Sequence, residues 1–220
     1  MKRAIVYGAT GFVGSHLLRD LLERSEYQSV TAVVRKDPGL AHPKLHTLLG
    51  DLDSVGEGMS GSALDEVFIA LGTTRKRTPD RTAYYRVDHD YPVAAARAVQ
   101  ALGARSVFLV SSVGADPASQ VFYVRTKGQT ERDILALGFD HTHIFRPSMI
   151  LGNRTEPRPL EHFLGRAWAL LDPLLMGSLD RYKGIHGADI ARAMGRAAAD
   201  RRPERVAIYH WRQMQDLLER

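Results

Sequence analysis

RAIVYGATGFVGSHLL, residues 3–18, runs from a short apolar segment through three glycines into a helical pattern, and its reading decides the fold. Ala4 to Tyr7 form an unbroken apolar run of the kind a strand covered on both faces requires. From Phe12 onward the apolar residues Phe12, Val13, Leu17, Leu18, Leu21 and Leu22 recur at helical spacing. Between the two lies GATGFVG, with glycine at 8, 11 and 14. Gly8 permits the sharp exit from a strand, Gly11 lets backbone approach a pyrophosphate, and Gly14 lets helix and sheet pack closely, while the helix N-terminus supplies donors and a positive dipole end. Thr10, Phe12 and Val13 complete the candidate cofactor loop. The spacing is GxxGxxG rather than GxGxxG, and strand-to-helix turns also use glycine for packing alone. The position immediately after a strand is what favours a dinucleotide.

Outward from this unit, short β-rich runs alternate with helical patterns, the signature of βαβ units and a parallel sheet. SVTAVVR (29–35), LHTLLG (45–50), EVFIALG (66–72), RSVFLVSS (105–112) and HTHIFRP (141–147) read as strands two to six. The segment YPVAAARAVQAL (91–102) reads as a helix closed by Gly103, and a second helix is expected from Val121 to Leu137, closed by Gly138. After Pro147 the pattern changes. Pro147, Pro157 and Pro159 with Gly152 and Asn153 predict a loop over 147–159. Helices near 160–175 and 187–199, a short strand RVAIYH (205–210) and a helix from Arg212 to Leu218 follow. The expected fold class is α/β, a doubly wound Rossmann-type parallel sheet with helices on both faces. Residues 1–220 are read as one domain, in which 147–220 contribute a small substrate-side cap.

Composition narrows the function classes. The 220 residues hold no cysteine, which removes disulfides, thiolate zinc sites, iron–sulfur clusters and thiol nucleophiles together. Hydrophobic residues at 44% and charged residues at 25% lie near globular averages, against disorder or coiled coil. The net charge of +5 is scattered, with one short run at Arg75-Lys76-Arg77, and no nucleic-acid-binding pattern accompanies it. The longest apolar stretch, AWALLDPLLM, is broken by Asp172-Pro173, short of the roughly 18 residues of a membrane span. Neither nucleic acid nor membrane is expected as a partner. The nine histidines show no metal-ligand spacing, so no metal is expected. The default compartment is the cytoplasm.

Two clusters carry the chemistry. Arg35 and Lys36 stand at the end of the second strand, where an NAD site usually places a carboxylate. A guanidinium grips a 2′-phosphate with two parallel hydrogen bonds, so NADP(H) is favoured, and nearby Asp37 leaves NAD(H) open. Asp51, with Leu52, is placed after the third strand to meet adenine, and Leu71, Gly72 and Thr73 after the fourth to line the ribose side. Tyr123 and Lys127 form YVRTK, an i,i+4 pair on one face of the expected helix. An ammonium near a tyrosine hydroxyl favours phenolate, letting the tyrosine move a proton near working pH. Ser111 and Ser112 end the fifth strand, where a hydroxyl can bond a substrate oxygen whose charge changes during hydride transfer.

With these motifs in order, the chain resembles the short-chain dehydrogenase/reductase superfamily over nearly its whole length. LGTTR, RVDHDY, SSVGAD, YVRTKGQTE and FRPSMILGNR resemble the atypical branch that includes the Tat-interacting oxidoreductase. The resemblance implies a Rossmann fold, NADPH binding, Tyr123 as acid/base, and Lys127 on the nicotinamide ribose. It also implies Arg35 and Lys36 on the 2′-phosphate, with Ile150 and Arg158 approaching the cofactor from the C-terminal segment. Where many members carry asparagine after the fourth strand, this chain has Asp88, so their proton relay does not carry over unchanged.

The resulting expectation is an NADP(H)-dependent enzyme reducing a carbonyl, or oxidising the matching alcohol, on a small molecule. The rival is an NADPH-sensing regulatory or partner-binding protein with little or no turnover. A protein partner or a homodimer is left open. An epimerase is disfavoured, because the short C-terminal region leaves little room for a nucleotide sugar.

Overall fold

Ala4, Ile5, Val6 and Tyr7 are fully buried, alternating between two apolar layers on opposite faces of one sheet. The computed structural model describes residues 1–50, 63–152, 175–200 and 204–220. Its strands are β1 (Lys2–Tyr7), β2 (Tyr27–Val34), β3 (Leu45–Leu49), β4 (Glu66–Ile69), β5 (Ser106–Val110), β6 (His141–Phe145), β7 (Ile150–Leu151), β8 (Ile185–His186) and β9 (Val206–Tyr209). Seven of them form a wholly parallel sheet in the order β3-β2-β1-β4-β5-β6-β9. The doubly wound α/β expectation holds, and all six strands read in the first 147 residues are present. The chain winds outward from β1 in both directions, so the carboxyl ends of β1 and β4 flank the crevice where such sheets bind ligands.

Two helical layers cover the sheet. On one face α1 (Phe12–Glu23) packs through Leu17, Leu18 and Leu21 beside Ala4, Val6, Val30 and Phe68. On the other, α3 (Tyr91–Ala101) and α4 (Phe122–Leu137) bury Ala95, Val99 and Ile134 against Ile5, Val67 and Leu109. A short α2 (Arg81–Tyr85) precedes α3, and a π-helical turn, Arg86–Asp90, joins the two. Gly103 and Gly138 follow α3 and α4 with φ of 97° and 76°, the left-handed conformation that ends a helix.

Within 147–220, the described residues build onto the same sheet. Helix α5 (Gly187–Ala199) packs on α1, β9 pairs with β6, and α6 (Trp211–Leu218) closes that layer with Met214 and Leu217. A 3-10 turn, Gly177–Tyr182, precedes β8. The loop expected over 147–159 contains a strand: β7 pairs with β8, so the backbone of Ile150 and Leu151 is satisfied by residues 35 positions later. No local pattern announces such a distant partner. Residues 160–174 of the expected helix lie outside the described residues. Among the described residues, no helix is long and apolar enough to cross a membrane.

An aromatic strip crosses the α1 face of the sheet, with Phe68 stacked on Phe108 and Phe108 on His143, each at 4.5 Å between ring centres. At the amino edge, buried Glu66 receives the Tyr27 hydroxyl at 2.6 Å and pairs with Lys2, which also donates to the carbonyl of Ala198. Burial pushes the Glu66 carboxyl up and Lys2 opposes that rise.

The seat of α1 depends on a missing side chain. A Cβ at Gly14 would lie 2.0 Å from the Gly8 carbonyl oxygen, inside any tolerable contact and against immovable backbone. Gly14→Ala is therefore expected to destabilise the protein by about 1–3 kcal/mol, the cost of overpacking. Urea unfolding should show a lower midpoint with an unchanged slope.

Candidate functional site

The glycine loop divides into packing and binding positions. Gly8, at φ of 83°, carries its hydrogen toward Ala70, whose oxygen would lie 2.6 Å from a Cβ there. Gly8 and Gly14 are thus demanded by the protein's own backbone. Gly11 is the N-cap of α1 in extended conformation, and its nearest obstacle to a Cβ is the Gly8 oxygen at 3.1 Å. Among the described residues no side chain caps this helix, whose N-terminus, the positive end of its dipole, stands at the carboxyl end of β1. The side chain of Val13 is buried in the core. The Phe12 ring is wedged against Gly152 and Gly187, where added Cβ atoms would meet it at 2.6 and 2.7 Å. Phe12 thereby fastens the end of β7 and the start of α5 to the loop.

Helix α4 places Tyr123, Lys127 and Glu131 at successive i+4 positions, one stripe of the helix. Tyr123 is 40% exposed, whereas Lys127 beneath it is 6% exposed. A charge buried that deeply needs a partner, and Asp88 supplies it at 2.7 Å. The second Asp88 oxygen accepts the amide of Thr73 at 2.8 Å. Burial works against the Lys127 ammonium, but Asp88 and Tyr123 outweigh it, and the lysine pKa is raised. Tyr84 of α2 lies nearby, its hydroxyl 3.4 Å from the Thr73 carbonyl, and burial first, then Asp88 and Tyr123, push its pKa upward. The asparagine-to-aspartate departure noted at position 88 is thus a direct ion pair to Lys127.

The two serines differ. Ser111 donates to Glu131, whose carboxylate also receives Arg146 from the end of β6, the Nε contact measuring 2.9 Å. Ser112 donates to the Val113 carbonyl, at 3.3 Å, and among the described residues to no other group. Glu131 and Arg146 did not figure in the sequence reading. The stripe of Tyr123 and Lys127 extends to Glu131 and marked it as inward-facing, while Arg146 is brought to it only by the sheet.

Arg35 and Lys36 stand exposed just past β2, and the Asp37 carboxylate is engaged in a turn, accepting the Gly39 amide at 2.8 Å. Leu71, Gly72 and Thr73 follow β4, and the Cβ position of Gly72 is 3.6 Å from Asp88 Oδ1 and 3.7 Å from Lys127 Nζ. Thr10 is exposed in the glycine loop, and Ile150 lies in β7. Asp51, Leu52 and Arg158 lie outside the described residues. Arg75-Lys76-Arg77 form an exposed turn after β4, held by Thr74 carbonyl bonds to Arg77 and Thr78. Among the described residues no group of three acidic or histidine side chains is placed to hold a metal.

Residues 8–162 match a family model described as NAD(P)H-binding. The chain is 39% identical over 168 residues to "Protein fmp52, mitochondrial" of Aspergillus fumigatus, covering 73% of this chain and 72% of that one. It is 36% identical over 169 residues to "Protein FMP52, mitochondrial" of Candida albicans, covering 74% and 72%. Among solved structures, MoeE5 in complex with UDP-glucuronic acid and NAD aligns with a TM-score of 0.70 at 23% identity, over 94% of this chain and 75% of that one. UDP-glucuronic acid 4-epimerase from Bacillus cereus in complex with NAD aligns with a TM-score of 0.70 at 16% identity, over 97% and 80%. These structural likenesses show the fold. The cytoplasmic expectation is overturned, because these curated relatives are named as mitochondrial proteins. That expectation rested on the absence of an address in the sequence, which is no signal at all.

Ser111→Ala removes a buried bond to a charged acceptor and is expected to lower stability by about 1.5–3 kcal/mol. Ser112→Ala, losing one long bond, should cost clearly less. Parallel urea titrations of the two variants check the contrast, and equal losses would mean that Ser111 is not held by Glu131.

Proposed function

Because the chain belongs to the NAD(P)H-binding family, we propose that it is an NADP(H)-dependent oxidoreductase of the carbonyl reductase type, acting on a small molecule. The observation that carries this reading is the ladder on α4: an exposed phenol, Tyr123, one turn above a buried, compensated ammonium, Lys127. The resemblance to the branch that includes the Tat-interacting oxidoreductase belongs to the same proposal, whereas the curated relatives above are FMP52 proteins.

The residues present fit a dinucleotide. Gly11 and the uncapped N-terminus of α1 would hold the pyrophosphate, Arg35 and Lys36 the 2′-phosphate, and Leu71, Gly72 and Thr73 the ribose side. Lys127 would hold the nicotinamide ribose, with Ile150 approaching from β7. When bound, the nicotinamide supplies or accepts the hydride. The chain supplies the proton. Tyr123 donates it to a carbonyl oxygen, or accepts it from an alcohol, and Lys127 beneath it favours the phenolate left behind. Ser112 orients the substrate oxygen, since Ser111 is committed to Glu131. That commitment also favours a second reading, an NADPH-sensing protein with little turnover.

A panel of aldehydes, ketones and quinones with NADPH separates the two. Tyr123→Phe keeps ring and helix but deletes the transferable proton, so turnover should fall by roughly 10²- to 10⁴-fold, with NADPH affinity unchanged. Equal turnover by the variant would remove Tyr123 from the mechanism, and tight NADPH binding without turnover of any panel member would favour the sensor. NADPH should also bind more tightly than NADH by about 1.5–3 kcal/mol, the worth of charge-assisted bonds to the 2′-phosphate. Fluorescence titration with the two nucleotides gives this difference, and equal affinities would remove Arg35 and Lys36 from the site.

A further inference from the structure

The Asp88–Lys127 pair is made possible by an irregularity of the backbone. From Arg81 to Ala101 the chain is helical throughout, but Arg86–Asp90 form a π turn, in which the Tyr91 amide bonds the carbonyl of Arg86 five residues back. The wider turn carries one residue more than an α-helix would, and such bulges recur at functional sites. Asp88 lies in this turn with its side chain 1% exposed. Its backbone carbonyl accepts the hydroxyl of Thr130 at 2.8 Å, so α4 pins the turn less than one helical turn beyond Lys127. Its carboxylate bridges α4, through Lys127, and the loop after β4, through the Thr73 amide.

We infer that Asp88 is a positioning residue for Lys127: delivered by the π turn and pinned by Thr130, it fixes the ammonium in place and keeps it protonated. The inference rests on the reading that Lys127 holds a nicotinamide ribose, for only then does its placement matter to binding. Three titratable groups face Lys127: Asp88 from the π turn, and Tyr123 and Glu131 from α4 itself. Arg146 is turned to Glu131, Tyr84 of α2 faces Asp88 and Tyr123, and the loop after β4 presents Gly72 and Thr73. Burial alone would drive the lysine toward its neutral form, and among these groups Asp88 is the strongest opponent of burial. With Asp88 replaced by a neutral amide, burial loses its strongest opponent. Lys127 then loses its proton at lower pH than an exposed lysine, and the grip on the ribose weakens as pH rises through that point.

The first measurement needs no cofactor. In the full chain labelled with ¹³C at lysine Cε, the Lys127 resonance, identified by its loss in Lys127→Met, is followed from about pH 7 to pH 11, across the ordinary lysine range. In the wild type it should titrate above the exposed lysines, and in Asp88→Asn below them. A wild-type Lys127 that titrates with or below the exposed lysines overturns the inference, as does an Asp88→Asn resonance that does not move. The second measurement is NADPH affinity across the same range. Asp88→Asn should lose roughly tenfold or more as Lys127 deprotonates, the scale of one pKa unit, and Asp88→Glu, which retains the charge, should lack this break. A purely structural role would weaken both variants at every pH and is the outcome that removes the positioning role. Should Asp88→Asn fail to fold, the wild-type resonance and Asp88→Glu still decide. Failure of the wild type to bind NADPH would overturn the proposed function instead, leaving the lysine titration to judge whether Asp88 holds Lys127.

Discussion

The carbonyl of Gly8 occupies the space in which a side chain at position 14 would stand, and this contact sets how closely α1 approaches the sheet. Much of the molecule is arranged around that distance. With α1 seated on β1, its uncapped N-terminus opens over the crevice between β1 and β4, and its outer surface becomes the bed on which α5 packs. Phe12, the first residue of α1, reaches the glycines at 152 and 187, tying the β7–β8 ladder to the same helix end. A loop that looks like a ligand site is therefore also the joint between the two halves of the chain. Substitutions there need paired measurements of stability and binding before either role is assigned.

The second arrangement grows from a buried charge. Lys127 is enclosed by Asp88, by the backbone after β4 and by its neighbours on α4, so three stretches of chain lying between residues 72 and 131 meet at one ammonium. Removing one partner would strand the other in a low-dielectric setting, at a cost well above that of a surface pair. A parallel cluster one turn on, Ser111, Glu131 and Arg146, fixes the middle of α4 to the carboxyl ends of β5 and β6. Tyr123, partly open to solvent at the start of the same stripe, is free of these ties to that extent.

The strands and most helices were legible because their signals are local. The unbroken apolar run of β1, the glycines that end α3 and α4, and the three glycines of residues 8–14 each act within a few positions. The candidate stripe on α4 was half legible, since an i+4 pair is visible in any helix. What escaped was what long-range geometry decides. The commitment of Ser111 joins residues 20 positions apart, and the pairing of β7 with β8 appears only when the chain returns. The π turn escaped for a different reason. The helix read from the sequence begins only at Tyr91, so RTAYYRVDHD before it carries no assignment, and one extra residue in a turn leaves no trace in a pattern of apolar spacing.

The sheet order also bears on how the chain acquires its structure. Its central strand, β1, precedes every partner, and the strands then accrete outward, first β2 and β3 on one flank, later β4, β5, β6 and β9 on the other. In vectorial synthesis the first flank can form as a βαβ unit while the second is still unmade. Until Glu66 arrives, Lys2 and Tyr27 lack their shared buried partner, and one edge of β1 stays unpaired. The vulnerable interval in biogenesis thus falls before β4 emerges, when an apolar central strand offers an open edge to any other nascent chain.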